Sequence, residues 1–191
     1  MLKLFRAIKN NNEEQFMNIL ENENIDIHKK DDEIPDETHY IRRASSIVIA
    51  SDVGNPKIVQ ALILKGADLN DTDDYGLNSL MKASIYGYID IIKILLSHGI
   101  NINKKNNNNA SAILYASLHS QKKIVQLLLT EGSVFGSSCI DVTYNNEIKL
   151  IFEYWPITMI IIILQELSLN GDLLESNIID LQEYFGSINI L

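Results

Sequence analysis

Cysteine is almost absent from this chain. Cys139 stands alone, so no intrachain disulfide and no cysteine-based metal cluster can form. A reducing, intracellular home is expected, the cytoplasm in particular. Long apolar runs are missing as well. The most apolar stretch, Ile157 to Leu164, falls short of the roughly 20 residues that cross a bilayer, and Lys149 and Glu153 lie just upstream. It reads as a buried helix. Residues 1–15 carry no apolar core ahead of their charges, so a secretory signal is not expected there. Positive charge is scarce: 16 Lys and Arg stand against 25 Asp and Glu, a formal net charge of −9. That balance argues against nucleic acid and anionic membranes as partners. From Asp141 onward eight carboxylates face only Lys149. Such an end either meets a basic partner or keeps the chain in solution.

Catalytic signatures are lacking too. There is no phosphate-binding glycine loop, no H-E-x-x-H and no G-x-S-x-G. His28, His39, His98 and His119 are dispersed, and no spacing pairs two carboxylates in a cleft. No catalytic residue, metal site or cofactor is expected. Isoleucine and asparagine are used heavily, as in products of AT-rich genomes.

What the chain does have is a period. Ala50, Ala83 and Ala116 are 33 residues apart. The same spacing relates Ile47, Leu80 and Ile113; Ile58, Ile91 and Ile124; Leu62, Leu95 and Leu128; and Gly66, Gly99 and Gly132. A period of this length marks a solenoid. Within one unit Ile91, Ile92, Leu95 and Leu96 form a single helical stripe, and Gly99 supplies the left-handed cap that ends it. The shorter helix before it turns Leu80 and Ala83 inward, and Gly87 allows the tight corner between the two.

This unit resembles the ankyrin repeat. Asp73-Asp-Tyr-Gly-Leu-Asn-Ser-Leu-Met-Lys-Ala83 is similar to the family's D-x-x-G-x-T-P-L-H-x-A opening, with Asn78, Ser79 and Met81 in place of Thr, Pro and His. Asn78 can still cap the helix. Gly87 to Asn103 and Lys65 to Asn70 follow the family pattern. In the fourth copy Asn109 and Ser120 stand where Gly76 and Gly87 stood. The resemblance implies an all-α fold, an α-solenoid of helix-turn-helix repeats with short β-fingers and a C-terminal helical cap. The expected organisation is a divergent first repeat over 1–30, an acidic finger insertion over 31–39, three repeats over 40–133, a loop or irregular linker over 134–156, and a two-helix cap over 157–191. In the cap, Ile157, Ile160, Ile161, Leu164 and Leu167 make one stripe, and Leu174, Ile178, Leu181 and Phe185 another.

The resemblance also implies a function: a non-catalytic module, expected to be a monomer, that binds another protein through its finger tips and the exposed face of its inner helices. Carried over by position, the binding row is Ile41, Arg42, Asp52 and Val53, then Asp74, Tyr75, Leu77, Ile85 and Tyr86, then Asn107, Asn108, Leu118 and His119. An alternative is a substrate adaptor. In some ankyrin proteins of large DNA viruses a C-terminal F-box-like segment recruits ubiquitin-ligase components, and Glu147 to Phe185 has the right place and helicity; a viral product would then work in the host cytosol. Finally, Leu62, Asp68, Leu69 and Asn70 match the family's asparaginyl-hydroxylase target pattern, which makes Asn70 a candidate modification site.

Overall fold

A computed structural model describes residues 2–30 and 43–155. Ile41 and Arg42, the insertion 31–39, the two-helix cap at 157–191 and most of the Glu147–Phe185 stretch lie outside the described residues. Nine helices are delimited among the described residues, and they come in pairs: α1 (Leu2–Lys9) with α2 (Glu13–Asn22), α3 (Ser46–Val53) with α4 (Pro56–Leu64), α5 (Ser79–Tyr86) with α6 (Ile89–Ser97), and α7 (Ala112–Leu118) with α8 (Lys122–Thr130); α9 is Ser137–Val142. The first helices of the pairs stack on one another in an inner row from α1 to α9, and α2, α4 and α6 stack in an outer row.

The period maps directly onto this stack. Every member of the apolar series at Ile47, Ile58 and Leu62 and at their 33-residue counterparts is at most 1% exposed. Ala7, Ala50, Ala83 and Ala116 are fully buried. Each of these alanines also anchors the corner to its outer helix, because its carbonyl accepts the backbone N–H five residues on, from Asn12, Asn55, Tyr88 and Gln121 respectively. The residue before each donor must therefore turn left-handed. Gly54 and Gly87 do so freely at φ 87° and 84°, while Asn11 and Ser120 are forced to 52° and 56°. At the outer ends the N–H after Gly66, Gly99 and Gly132 returns to Leu62, Leu95 and Leu128, which closes each helix in the same way. α4 and α5 start on side-chain caps: Asn55 Oδ1 accepts from the N–H groups of Lys57 and Ile58, and Asn78 Oδ1 from that of Met81.

A second contact ties neighbouring pairs together. The residue that follows each corner reaches back over the corner before it. Asn55 Nδ2 donates to Asn11 Oδ1 at 2.7 Å. The Tyr88 ring lies over Gly54 so closely that a Cβ there would be 2.4 Å from Cζ. Gln121 covers Gly87 in the same manner.

The segment expected as loop is corrected. Residues 137–142 are helical, and so are residues 146–155 up to the edge of the described chain. They form a fifth, shortened pair: α9 sits on α7, Ile148, Ile151 and Phe152 are buried, the Phe152 ring packs tilted against Phe135 with centroids 4.7 Å apart, and Lys122 pairs with Glu147 at 2.9 Å. Six residues are too few to show a helical period, and so short a helix exists only because α7 supports it.

The corner geometry sets two opposite outcomes. Ser120→Gly removes a left-handed side chain and is expected to raise stability in urea unfolding by about 0.5–1 kcal/mol. Gly54→Ala must strain φ and displace the Tyr88 ring, so it should lower stability by more than about 1 kcal/mol.

Candidate functional site

The exposed face of α5 and α7, with the fingers that precede them, carries three exposed large apolar side chains; Leu64, Val134, Tyr144 and Leu150 are exposed elsewhere on the described chain. Tyr86 ends α5 and is 49% exposed; its ring stacks on Tyr88 at a centroid distance of 5.8 Å. Leu118 ends α7 at 46%. Tyr75, at the tip of the third finger, is 41% exposed. His119, Asp74, Asn107 and Asn108 are exposed around them, and Ile85 and Val53 are half-buried against the core. The repeat places Asp52, Ile85 and Leu118 in one row across three inner helices, and Val53, Tyr86 and His119 in the next.

Leu77, assigned to this row by sequence, does not belong to it. It is 9% exposed and part of the hydrophobic cluster, because Asp73 folds the finger over it: Asp73 Oδ1 accepts from the N–H groups of Tyr75 and Leu77 at 3.0 and 2.9 Å. Ile85 and Val53 contribute only the parts of their side chains that packing leaves open. Asn70 is exposed, and its N–H donates to Asp68 Oδ1 at 2.8 Å. Its counterpart Asn103 is engaged, accepting from Val134 N–H through Oδ1.

The third and fourth fingers touch through their backbones. Asn107 N–H donates to Tyr75 O at 3.2 Å and Asn107 Nδ2 to Asp74 O at 3.0 Å. A Cβ on Gly76 would stand 2.8 Å from Asn107 N, so glycine is what lets the two fingers lie this close.

Beneath Tyr75 runs a polar thread that the repeat pattern did not announce. Lys82, on the inner face of α5, is 6% exposed at its side chain, with Nζ 2.9 Å from Asp52 Oδ1 and 3.4 Å from Asp73 Oδ2. Both oxygens lie off the hydrogen-bonding directions of the ammonium, so the attraction is Coulombic. Asp52, assigned by sequence to the binding row, thus faces an internal cation. One repeat further on the same two positions hold Asn106 and Tyr115, and Asn106 Nδ2 donates to Tyr115 Oη at 2.8 Å. The ionic pair of one repeat becomes a neutral pair in the next. Burial pushes the Tyr115 phenol above its ordinary value, and the Asp73 carboxylate adds to this; the Asn106 bond and Lys82 oppose it. The Cys139 thiol, 2% exposed, is also pushed up by burial, with a partial offset from its hydrogen bond to Gly136, so it stays protonated and inert.

Among the described residues no group of three His, Cys, Asp or Glu side chains could hold a metal ion, and no helix is long and apolar enough to cross a membrane. His28, His98 and His119 are separately exposed, and His98 Nδ1 is bonded to Ile94 O at 2.8 Å.

Three outcomes follow from the thread. Lys82→Met leaves the buried Asp73 carboxylate without its cation and should cost about 3 kcal/mol in thermal unfolding. Lys82→Tyr combined with Asp73→Asn, which copies the neutral pair, should recover a large part of that loss. Tyr115 folds in its neutral form with a raised pKa. Its contribution is therefore complete below the unfolded value of about 10 and is lost as pH rises through the folded value. Tyr115→Phe should flatten the fall in stability above about pH 10, and a slope equal to that of the parent chain would contradict the assignment.

The family model for ankyrin repeats, in three copies, matches residues 47–138. No curated protein matches the chain. The matched stretch runs from α3 to the start of α9, and so spans the three pairs in which the 33-residue spacing is kept and the beginning of the shortened one. These are helix pairs of one period turned through the same left-handed corner, and residues 47–138 of this chain are ankyrin repeats.

Proposed function

We propose that this chain is a non-catalytic module that binds a partner protein through the third and fourth fingers and the open face of α5 and α7. Ankyrin repeats are protein-interaction modules as a class and typically carry no catalysis. One observation supports locating the contact here. Tyr75, Tyr86 and Leu118 keep 41%, 49% and 46% of their surface open, while Leu80, Met81, Ala83, Ile113 and Ala116 on α5 and α7 are at most 1% exposed. Tyrosine anchors bind well because they bury a large rigid area at low entropic cost and keep a hydroxyl for the rim. Asp74, Asn107, Asn108 and His119 supply that polar rim. We place the module in the cytosol as a monomer, where a lone thiol is stable.

The partner is obtained by affinity purification of the intact chain from its natural cell. Against it, a Tyr75→Ala, Tyr86→Ala double variant is expected to bind more weakly by about 2 kcal/mol, or roughly 30-fold, with an unchanged melting curve. Full binding by the double variant, or a loss of stability that matches the loss of affinity, would remove these tyrosines from the site.

A further inference from the structure

The third and fourth finger turns are each closed on one residue. In the third, Asp73 N–H donates to Leu77 O, and Asp73 Oδ1 accepts from the N–H groups of Tyr75 and Leu77. In the fourth, Asn106 N–H donates to Ala110 O, and Asn106 Oδ1 accepts from those of Asn108 and Ala110. The same bonds therefore close both turns. Closure fixes the shape of a turn. It does not fix where the turn stands over the inner helix that follows.

That placement falls to the second polar atom of the same side chain. Asn106 uses it on α7, where Nδ2 donates to Tyr115 Oη at 2.8 Å. Asp73 turns Oδ2 towards α5, where Lys82 Nζ lies 3.4 Å away, and that oxygen has no hydrogen-bond donor among the described residues. Lys82 and Tyr115 occupy one position of the repeat, 33 residues apart. The contact is kept while its chemistry changes from ionic to neutral. Lys82 reaches further than its counterpart, because Nζ is also 2.9 Å from Asp52 Oδ1 near the end of α3. The finger base and two inner helices thus meet at one ammonium. A pair of apolar side chains of the same volume would hold this layer as well or better. Stability alone is therefore no reason to bury a charge here.

We infer that Lys82 is a positioning residue for the partner site. Its side chain is 6% exposed and lies beneath Tyr75, out of a partner's reach. It holds Asp73, and Asp73 holds the N–H of Tyr75. The tip of the third finger is thereby fixed relative to Tyr86 at the far end of α5. A partner then covers both tyrosines without having to order the finger first, which is how a preorganised surface gains affinity. The inference rests on the tyrosine row as the place of contact.

The test compares two variants of the intact chain that differ by one oxygen. Asp73→Asn with Lys82→Tyr copies the neutral contact of the fourth finger. Asp73→Asn with Lys82→Phe leaves the new amide without a partner on α5. Both keep an oxygen to close the turn, and neither leaves a buried charge at the finger base. Order parameters of the Tyr75 and Gly76 amides, from nitrogen-15 relaxation, should stay near the rigid value of about 0.85 in the first variant and fall below about 0.6 in the second, with α5 and α6 unchanged. The binding probe is a heptapeptide enriched from a phage library on the intact chain and counter-selected on the Tyr75→Ala, Tyr86→Ala variant, so that it reports on the tyrosine row. Its affinity should stay within about threefold of the parent value in the first variant and fall at least about tenfold in the second. If the aromatic rings do not fit, Gln and Met at position 82 make the same comparison, with and without a polar end. A role in stability alone would shift the melting temperature but leave finger order and peptide affinity alike in the two variants. That result overturns the inference, and so does a loosened finger that binds the peptide at full strength. If no peptide survives counter-selection, the tyrosine row itself fails as a site and the inference falls with it; equal binding by the two variants removes Lys82 alone.

Discussion

Close approach of the inner helices is the constraint on which the rest depends. Ala7, Ala50, Ala83 and Ala116 have no exposed surface, in helices that pack on one another along the inner row. A larger side chain would push the row apart and open the apolar layer formed by Leu80, Ile91 and Leu95 and their counterparts. The same alanines hold the corners through their carbonyls, so spacing between pairs and geometry within a pair are set at one residue. Stability then spreads along the stack through contacts between neighbours, as in any solenoid.

Neighbour contact also explains why the repeats tolerate departures from one another. Asn11 and Ser120 stand in left-handed corners that Gly54 and Gly87 fill more easily. Their cost is local and is offset by the pairs on either side. Asn55, Tyr88 and Gln121 each reach back over the preceding corner with different chemistry: an amide hydrogen bond, an aromatic ring, an amide again. Lys82 and Asp73 close one repeat by charge, and Tyr115 and Asn106 close the next by a neutral bond. In each case the repeat requires a filled position and leaves the means of filling it open.

Exposed apolar surface arises where stacking stops consuming side chains. Residues at the ends of α5 and α7 point past the last inner-row contact, so Tyr86 and Leu118 remain open while their helix neighbours are buried. The third and fourth fingers are joined through Asn107, and the tip side chains of Tyr75 and Asn108 stay exposed.

The sequence by itself determined the repeat. A 33-residue spacing of buried positions, with glycine at the turns, specifies helix pairs and their stacking direction, because helical periodicity and left-handed turns are local properties. It also located Tyr75, Tyr86 and Leu118, since the register of the repeat states which positions face outward. It could not place Leu77, whose burial depends on a carboxylate four residues away folding the finger over it. It did not indicate that Asp52 faces Lys82, because the two are 30 residues apart in sequence and meet only when α3 lies on α5. Nor did it reveal α9, whose six residues carry no period of their own and become helical against α7. Local preference decided the units; contact between them decided which side chains are core, which are paired and which stay exposed.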